Sequence, residues 1–510
     1  MTTTAAHYET IIGLEVHAQL LTGSKMFCSC PLPSLDSPPN AHVCPVCLGM
    51  PGVLPVINRQ AVEITIMTGL ALNCEIPEQA KFDRKNYHYP DLMKGYQISE
   101  YDLPLCRNGW LEIDVDGQTK RIGITRVHLE EDTAKLMHVT DASGETYSLV
   151  DVNRSGVPLM EIVSEPDMRS PEDARAYLVK LRQILRYIGA SRANMEEGNM
   201  RCEPNISVRP LAQPEFGVKV ELKNINSFRH VYDGIKYEVD RQIEVLDSGG
   251  RIVQETRGWR EDSASTVSQR SKEYAHDYRY FPEPDLPPLM VSRQWVDEIR
   301  ARMPELPDAK QARFQAQYGL SEYDATLLTQ ASGLAQFFED AVTEWKRILS
   351  APGVHEEIPG PQIPKIVANW VLGEFSHLLN AVGLDIGDPD ANLTDTNLTV
   401  ANFAKLLNLL QSGNISAASA KEVLQETFET GRDPEQIVAE RGLVQITASD
   451  EIAGAVERVL AEHAKAADDY RGGKEEALKF LVGQVMRETR GRANPGTVHK
   501  LLREKLDGHP

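Results

Sequence analysis

Glu15 and His17 stand two residues apart in Thr10-Ile-Ile-Gly-Leu-Glu15-Val-His17-Ala-Gln-Leu20. In an extended strand, side chains at that spacing point the same way, with Cβ atoms roughly 7 Å apart. A carboxylate and an imidazole so placed can share a cation or a substrate oxygen. The same pattern also describes the solvated face of an ordinary strand. Further acids favour the first reading. His128-Leu-Glu130-Glu131-Asp132 sets three carboxylates in a row, which repel one another unless a cation or a basic group neutralises them; a solvated acidic turn is the alternative. Glu161 lies inside the apolar run Leu159-Met-Glu161-Ile-Val, where a carboxylate needs a cation or donors. Two more alternating segments, Met200 to Arg209 and Val218 to Lys223, present Arg201, Glu203, Asn205, Lys219, Glu221 and Lys223 outward. Such mixed-sign faces are either the wet side of an antiparallel sheet or the wall of a polar site.

The cysteines suggest a separate chemistry. Cys28-Ser-Cys30 and Cys44-Pro-Val-Cys47, joined by a Pro-rich loop, have the spacing of a four-thiolate zinc knuckle. With four protein ligands such a zinc is structural; four neighbouring free thiols are the alternative. Cys74, Cys106 and Cys202 are isolated and expected in the core. Lys81 to Asp91, dense in charge and aromatics, reads as an ordered loop whose Asp83, Arg84, Lys85 and His88 suit a phosphate or carboxylate, or as a polar surface loop.

The elements that must carry these residues change character along the chain. In the first half, strand-like alternation is interrupted by amphipathic helices at Asn58 to Leu72, after Ser170-Pro171-Glu172-Asp173, and at His230 to Leu246. Tyr278 to Pro288, rich in proline, permits neither a helix nor a central strand. Beyond it helical periodicity dominates, near 292–303, 321–349, 365–382, 398–411 and 417–429, then in shorter segments at Pro434 to Arg441, Glu451 to Ala464, Lys474 to Arg487 and Pro495 to Leu506. The expected fold is α+β: a first domain over 1–292 built on a mainly antiparallel sheet with flanking helices, then an all-α half with a helical domain over 293–412 and a small helical tail domain over 413–510.

The net charge of −20 over 510 residues speaks against a general nucleic-acid coat. Locally the tail reverses it: Arg471, Lys474, Arg487, Arg490 and Arg492 suit a phosphate backbone, or a solvated face. No apolar run is long enough to span a bilayer, and Met1 to Tyr8 lacks the pattern of a secretory signal, so no membrane association and a cytoplasmic location are expected. Seven cysteines argue against a disulfide framework. A P-loop and a Gly-x-Ser-x-Gly elbow are both absent, so any use of ATP must go through a metal and the charged strands.

Longer motifs add a resemblance. Ile12-Gly-Leu-Glu15-Val-His17, Lys81-Phe-Asp-Arg-Lys85-Asn-Tyr87, His128-Leu-Glu130-Glu131-Asp132, Glu161-Ile-Val-Ser-Glu165-Pro-Asp167, Met195-Glu-Glu-Gly198, Glu221-Leu-Lys-Asn224 and Asp277-Tyr-Arg-Tyr280-Phe-Pro-Glu-Pro-Asp285 resemble the B-subunit family of bacterial aspartyl/glutamyl-tRNA amidotransferases. The likeness runs essentially end to end; Phe480 to Met486 and Ala493-Asn-Pro495 resemble that family's helical tRNA-binding end. It implies an ATP-dependent ligase: the side-chain carboxylate of Glu-tRNA(Gln) or Asp-tRNA(Asn) is phosphorylated, and ammonia from a glutaminase A subunit displaces phosphate, with a small C subunit completing the complex. It implies a Mg²⁺ held by His17, Glu131 and Glu161, with Glu15 and Glu130 in or beside its shell, Lys85 steadying the acyl phosphate, and zinc as fold support. Cys202-Glu203-Pro-Asn205 stands where members commonly have Cys-Asp-Ala-Asn, leaving the role of Glu203 open. The other reading is a zinc-stabilised tRNA-binding scaffold with no catalytic site of its own.

Overall fold

The computed structural model describes residues 7–34, 36–271, 278–351, 362–384, 396–445, 449–489 and 491–508. The chain divides into two compact units, Met1–Pro307 and Asp308–Pro510.

The first unit is built on an eleven-stranded sheet. Its strands are β1 (Tyr8–Gln19), β2 (Phe82–Asn86), β3 (Tyr96–Glu100), β4 (Cys106–Val115), β5 (Gln118–Glu131), β6 (Pro158–Ser164), β7 (Met200–Pro210), β8 (Val220–Lys223), β9 (Glu255–Arg260), β10 (Ser265–Ser271) and β11 (Phe281–Pro282). The spatial order is β10-β9-β8-β7-β1-β6-β5-β3-β2-β11, with β4 paired to β5. Every pairing is antiparallel except β8 with β9, and the mainly antiparallel α+β architecture is as expected.

The alternation of β1 explains its central place. Ile12, Leu14, Val16 and Ala18 are buried in one hydrophobic core, so Glu15 and His17 fall on the opposite face. Three helices contribute to that core: α1 (Arg59–Ala71), α2 (Pro171–Tyr187) and α3 (Phe228–Asp247). Each starts on a side-chain cap, Asn58, Ser170 and Ser227, which satisfies an N–H that the helix itself leaves open. A fourth helix, α4 (Arg293–Ala301), buries Val296 and Ile299 in the same core. Cys74, Cys106 and Cys202 are buried there too.

The segment expected to be a loop at Lys81 to Asp91 contains a strand. Phe82–Asn86 pairs in antiparallel register with Tyr96–Glu100. Its polar side chains lie on both faces, so it lacks the apolar alternation by which strands are recognised. The proline-rich closing segment contributes only the two-residue edge strand β11, against Arg84 and Asp83, as proline's missing N–H requires.

The second unit is helical from Pro307–Tyr318 to Pro495–Asp507. One core gathers Phe314, Phe338, Trp345, Phe375, Phe403 and Leu424; a separate one in the tail gathers Val456, Leu481, Val485, Val498 and Leu502. The long helix expected over 321–349 is two, Glu322–Leu328 and Ser332–Leu349, and 365–382 is interrupted by a π-helical turn at Val371–Phe375. No helix among the described residues is long and apolar enough to cross a membrane.

Candidate functional site

The polar face of the sheet forms a cavity of about 810 Å³, within the range of small-molecule sites. Its floor is set by strand register. His17 on β1 stands opposite Glu161 on β6, which stands opposite His128 on β5. Directly paired residues share a face, so the three side chains converge. Glu130, two residues beyond His128, joins them. His17 Nε2 lies 3.3 Å from Glu161 Oε2 and 3.6 Å from Glu130 Oε1, and one ligand atom from each of the three lies within 4.8 Å of the others.

This differs from the expected ligand set in one position. Glu131 is not in the cluster. Its carboxylate lies on the other side of the sheet, 2.7 Å from Lys94 Nζ and accepting the N–H of Ile98 at 3.0 Å. The cause is a β-bulge. Counted from the buried Ile122 and Ile124, alternation puts His128 and Glu130 on the core face and Glu131 on the cavity face. The register shifts between Ile124 and Arg126, one extra residue enters the strand, and the faces exchange. Val127 and Leu129 turn into the core, while His128 and Glu130 turn into the cavity.

The electrostatics of the cluster are those of a cation site. Burial works against the charge on His17, but the hydrogen bond and charge of Glu161, with Glu130 and Glu203, hold its pKa up at about 9. Burial likewise opposes ionisation of Glu161, and the facing His128 and His17 with Lys85 outweigh it, keeping that carboxyl well below its usual range. Burial raises Glu130, with Lys85 opposing. His128 is driven down to about 4 by burial, against the pull of Glu161, and is neutral at pH 7; the side chain of Arg126 donates to its Nδ1 at 3.3 Å. Ser99 donates to Glu130 at 3.2 Å. A proton on His17 thus occupies the place that a divalent cation suits, and one imidazole with two buried carboxylates is a fitting donor set for Mg²⁺ or Mn²⁺.

Lys85 extends into the same cavity from β2. Burial opposes its charge, but Glu130 and Glu161 raise its pKa above the usual lysine value. Among the described residues no carboxylate lies within ion-pair distance of it; its ammonium faces the rings of Tyr278 at 5.2 Å and Tyr87 at 6.0 Å.

Glu15 belongs to a second group. Its carboxylate lies within 4.8 Å of those of Glu203 and Glu221, following the pairing of Glu15 with Glu203 and of Asn205 with Glu221. Burial first, then Glu161, Glu203 and Glu221, push its pKa up. Asn205 donates to it at 3.0 Å, and Lys223 sits 2.9 Å from Glu203. Beside these, Asp132 is ionised: burial is overcome by Arg201 at 3.1 Å, Arg154 at 3.7 Å and Gln19 at 2.8 Å. The opening strand pattern flags Glu15 and His17 and the later ones Glu203 and Glu221, but the His128 and Asp132 contacts cross between distant strands and no local spacing encodes them.

Behind the floor, Glu100 directs its carboxyl into the sheet. One oxygen accepts the N–H groups of Leu105 and Leu129, each at 3.1 Å, while the other has no partner among the described residues. Burial pushes its pKa up to about 8.

The thiolate group is as the spacing suggested. Sulfur atoms of Cys28, Cys30, Cys44 and Cys47 lie within 4.8 Å of one another and can hold a metal ion. Cys47 is drawn down to about 4, first by its hydrogen bond with Cys28 and further by Lys25, which favours the thiolate a metal needs. This cluster neighbours the Glu131 side of the sheet, sharing with Glu131 and Lys94 the lining of a cavity of about 250 Å³.

In the tail, Arg471 pairs with Asp468 at 3.2 Å and Lys474 with Asp469 at 2.9 Å. Arg487 and Arg492 have no ion-pair partner among the described residues, and Arg490 lies outside them.

Comparison with known families places a GatB/GatE catalytic domain over residues 10–297 and a GatB domain over 356–506. The B subunit of the aspartyl/glutamyl-tRNA(Asn/Gln) amidotransferase of Dehalococcoides mccartyi is 54% identical over 500 residues, covering 98% of this chain and 99% of that one. The proteins of the same description from Carboxydothermus hydrogenoformans and Caldicellulosiruptor saccharolyticus are 55% identical over 499 residues and 52% over 500, with the same coverage.

Proposed function

The chain belongs to the family of aspartyl/glutamyl-tRNA amidotransferase B subunits, and on that premise we propose that its cavity carries out ATP-dependent transamidation of Glu-tRNA(Gln), Asp-tRNA(Asn) or both. The side-chain carboxylate of the misacylated tRNA attacks the γ-phosphorus of ATP, and ADP leaves. Ammonia, supplied by a glutaminase A subunit in a complex that includes a small C subunit, then adds to the acyl carbon. The carbon–nitrogen bond forms, the nitrogen gives up a proton, and inorganic phosphate departs.

The single observation that carries this reading is the juxtaposition of His17, Glu130 and Glu161 with Lys85 in one cavity. Phosphoryl transfer between two anions needs positioning and charge neutralisation more than covalent catalysis. His17, Glu130 and Glu161 would hold Mg²⁺. When bound, that ion supplies positive charge against the phosphates of ATP. Lys85 supplies a second, fixed charge for the acyl phosphate and its transition state. Glu15, which lines the same cavity, takes the proton that the nitrogen loses. Zinc on Cys28, Cys30, Cys44 and Cys47 is structural, because four protein thiolates leave no open position. The tail domain, 413–510, holds the tRNA, with Arg487, Arg490 and Arg492 against its backbone.

The test is amidation of both misacylated tRNAs by the reconstituted complex, with glutamine and with free ammonia. His17→Ala is expected to abolish both reactions and to leave tRNA binding intact. Unchanged amidation by that variant would favour the tRNA-binding scaffold instead.

A further inference from the structure

One wall of the cavity has no part in the chemistry above. Four tyrosines line it as a continuous series of rings. Tyr87 lies 5.7 Å from Tyr278, Tyr278 lies 6.1 Å from Tyr280, and Tyr280 is stacked on Tyr101 at 4.1 Å with the planes within 5°. Core packing does not explain the series, because Tyr101 at its outer end is 51% exposed.

The wall is also held in place by its own segment. Arg279, between Tyr278 and Tyr280, has φ +44°, a left-handed conformation that residues with a Cβ avoid. That local turn leaves both flanking rings lining the cavity. Asn86 fixes it by donating to the Arg279 carbonyl at 2.9 Å. Just beyond, Arg84 grips Glu283 through two hydrogen bonds at 2.7 and 2.8 Å. At the Tyr87 end, Asp91 lines the cavity with a buried Oδ1 that has no hydrogen-bond partner among the described residues.

We propose that the tyrosine wall is an adenine subsite. Aromatic side chains offer faces on which a base stacks, and the unused Asp91 oxygen matches the exocyclic amine of adenine, where guanine presents an oxygen instead. Lys85 lies between this wall and the His17 cluster, its ammonium over the Tyr278 ring, so a ligand with its base on the tyrosines directs its charged end to the basic and metal-binding floor. The inference rests on the proposed function, in which two ligands carry adenine: ATP, and the tRNA through its 3′-terminal nucleotide.

The experiment uses the complete complex and measures affinity for Mg–ATP, Mg–GTP and Mg–tripolyphosphate by calorimetry, and KM for misacylated tRNA. Variants are Tyr280→Ala, Tyr101→Ala, Tyr280→Phe and Asp91→Asn. If the base is that of ATP, each alanine variant weakens ATP roughly 10- to 100-fold while tripolyphosphate binding is unchanged. Tyr280→Phe keeps wild-type affinity, which separates stacking from a folding defect. Asp91→Asn narrows the preference for ATP over GTP about 10-fold. If the base is the tRNA's, ATP binding stays constant, KM for tRNA rises by a similar factor, and a non-hydrolysable 3′-glutamylamino-adenosine loses its inhibition. A wild-type complex that binds ATP and amidates tRNA, with alanine variants equal to it in both assays, overturns the adenine subsite alone. A wild-type complex that neither binds ATP nor amidates overturns the proposed function.

Discussion

Glu130 and Glu131 are chain neighbours that leave the sheet on opposite sides, into surroundings that differ in what they lack. On its side Glu131 finds its partners within the protein: Lys94 and the Ile98 N–H satisfy the carboxylate. On the Glu130 side the protein assembles buried carboxylates, a protonated imidazole and a lysine without an ion-pair partner among the described residues. A closed ion pair serves the fold, and an unbalanced cluster is completed by a ligand. Perturbed ionisation marks the second kind of place, and the contrast is sharp because a single peptide bond separates the two.

The largest expected effect tests the cavity side. Glu161→Gln or Glu130→Gln should lower amidation with free ammonia by a factor on the order of 1,000 or more, about 4 kcal/mol of transition-state stabilisation, with thermal unfolding little changed. Glu131→Gln should do the reverse. Leaving Lys94 without its carboxylate should cost roughly 3 kcal/mol in urea unfolding and keep amidation within about 10-fold of wild type. A Glu131→Gln protein as stable as wild type yet inactive would erase the distinction between the faces.

Glu100 sharpens it through pH. Its folded pKa, raised to about 8, exceeds the unfolded carboxylate value, so the folded protein holds a proton that the unfolded chain has released. That contribution to stability is complete below the unfolded value and declines as pH rises through about 8. Between pH 7 and 8.5 the loss should be about 1–2 kcal/mol, and Glu100→Gln, which cannot ionise, should remove this slope in unfolding measured against pH. The smallest effect belongs to the tail. Arg487→Ala and Arg492→Ala should each raise KM for tRNA a few-fold and reduce the salt slope of tRNA binding by about one, with kcat unchanged.

Legibility in the sequence follows how local each determinant is. The alternation of β1 places Glu15 and His17 on one face, and the Cys-x-Cys and Cys-x-x-Cys spacings bring four sulfurs together. The helix cap at Ser170 and the tail periodicities are readable for the same reason. Lys81 to Asp91 hides a strand because its polar residues face both ways. The resemblance puts Glu131 among the metal ligands, and no local pattern corrects it, because the bulge that turns it away depends on pairing with a strand thirty-odd residues on, at Ser164 and Val163. The tyrosine wall draws on residues from 87 to 280, and only the fold joins them.

Thr125, the extra residue of the bulge, carries no charge that the reaction uses. It sets the phase of every side chain from Arg126 to Glu131. Deleting it would preserve each of those side chains and reverse their directions together, sending Val127 and Leu129 towards the substrate and His128 and Glu130 into oil. For this stretch, residue count is therefore a stronger constraint than residue identity: a substitution at position 125 changes one contact, whereas a change in length there rewrites a whole wall.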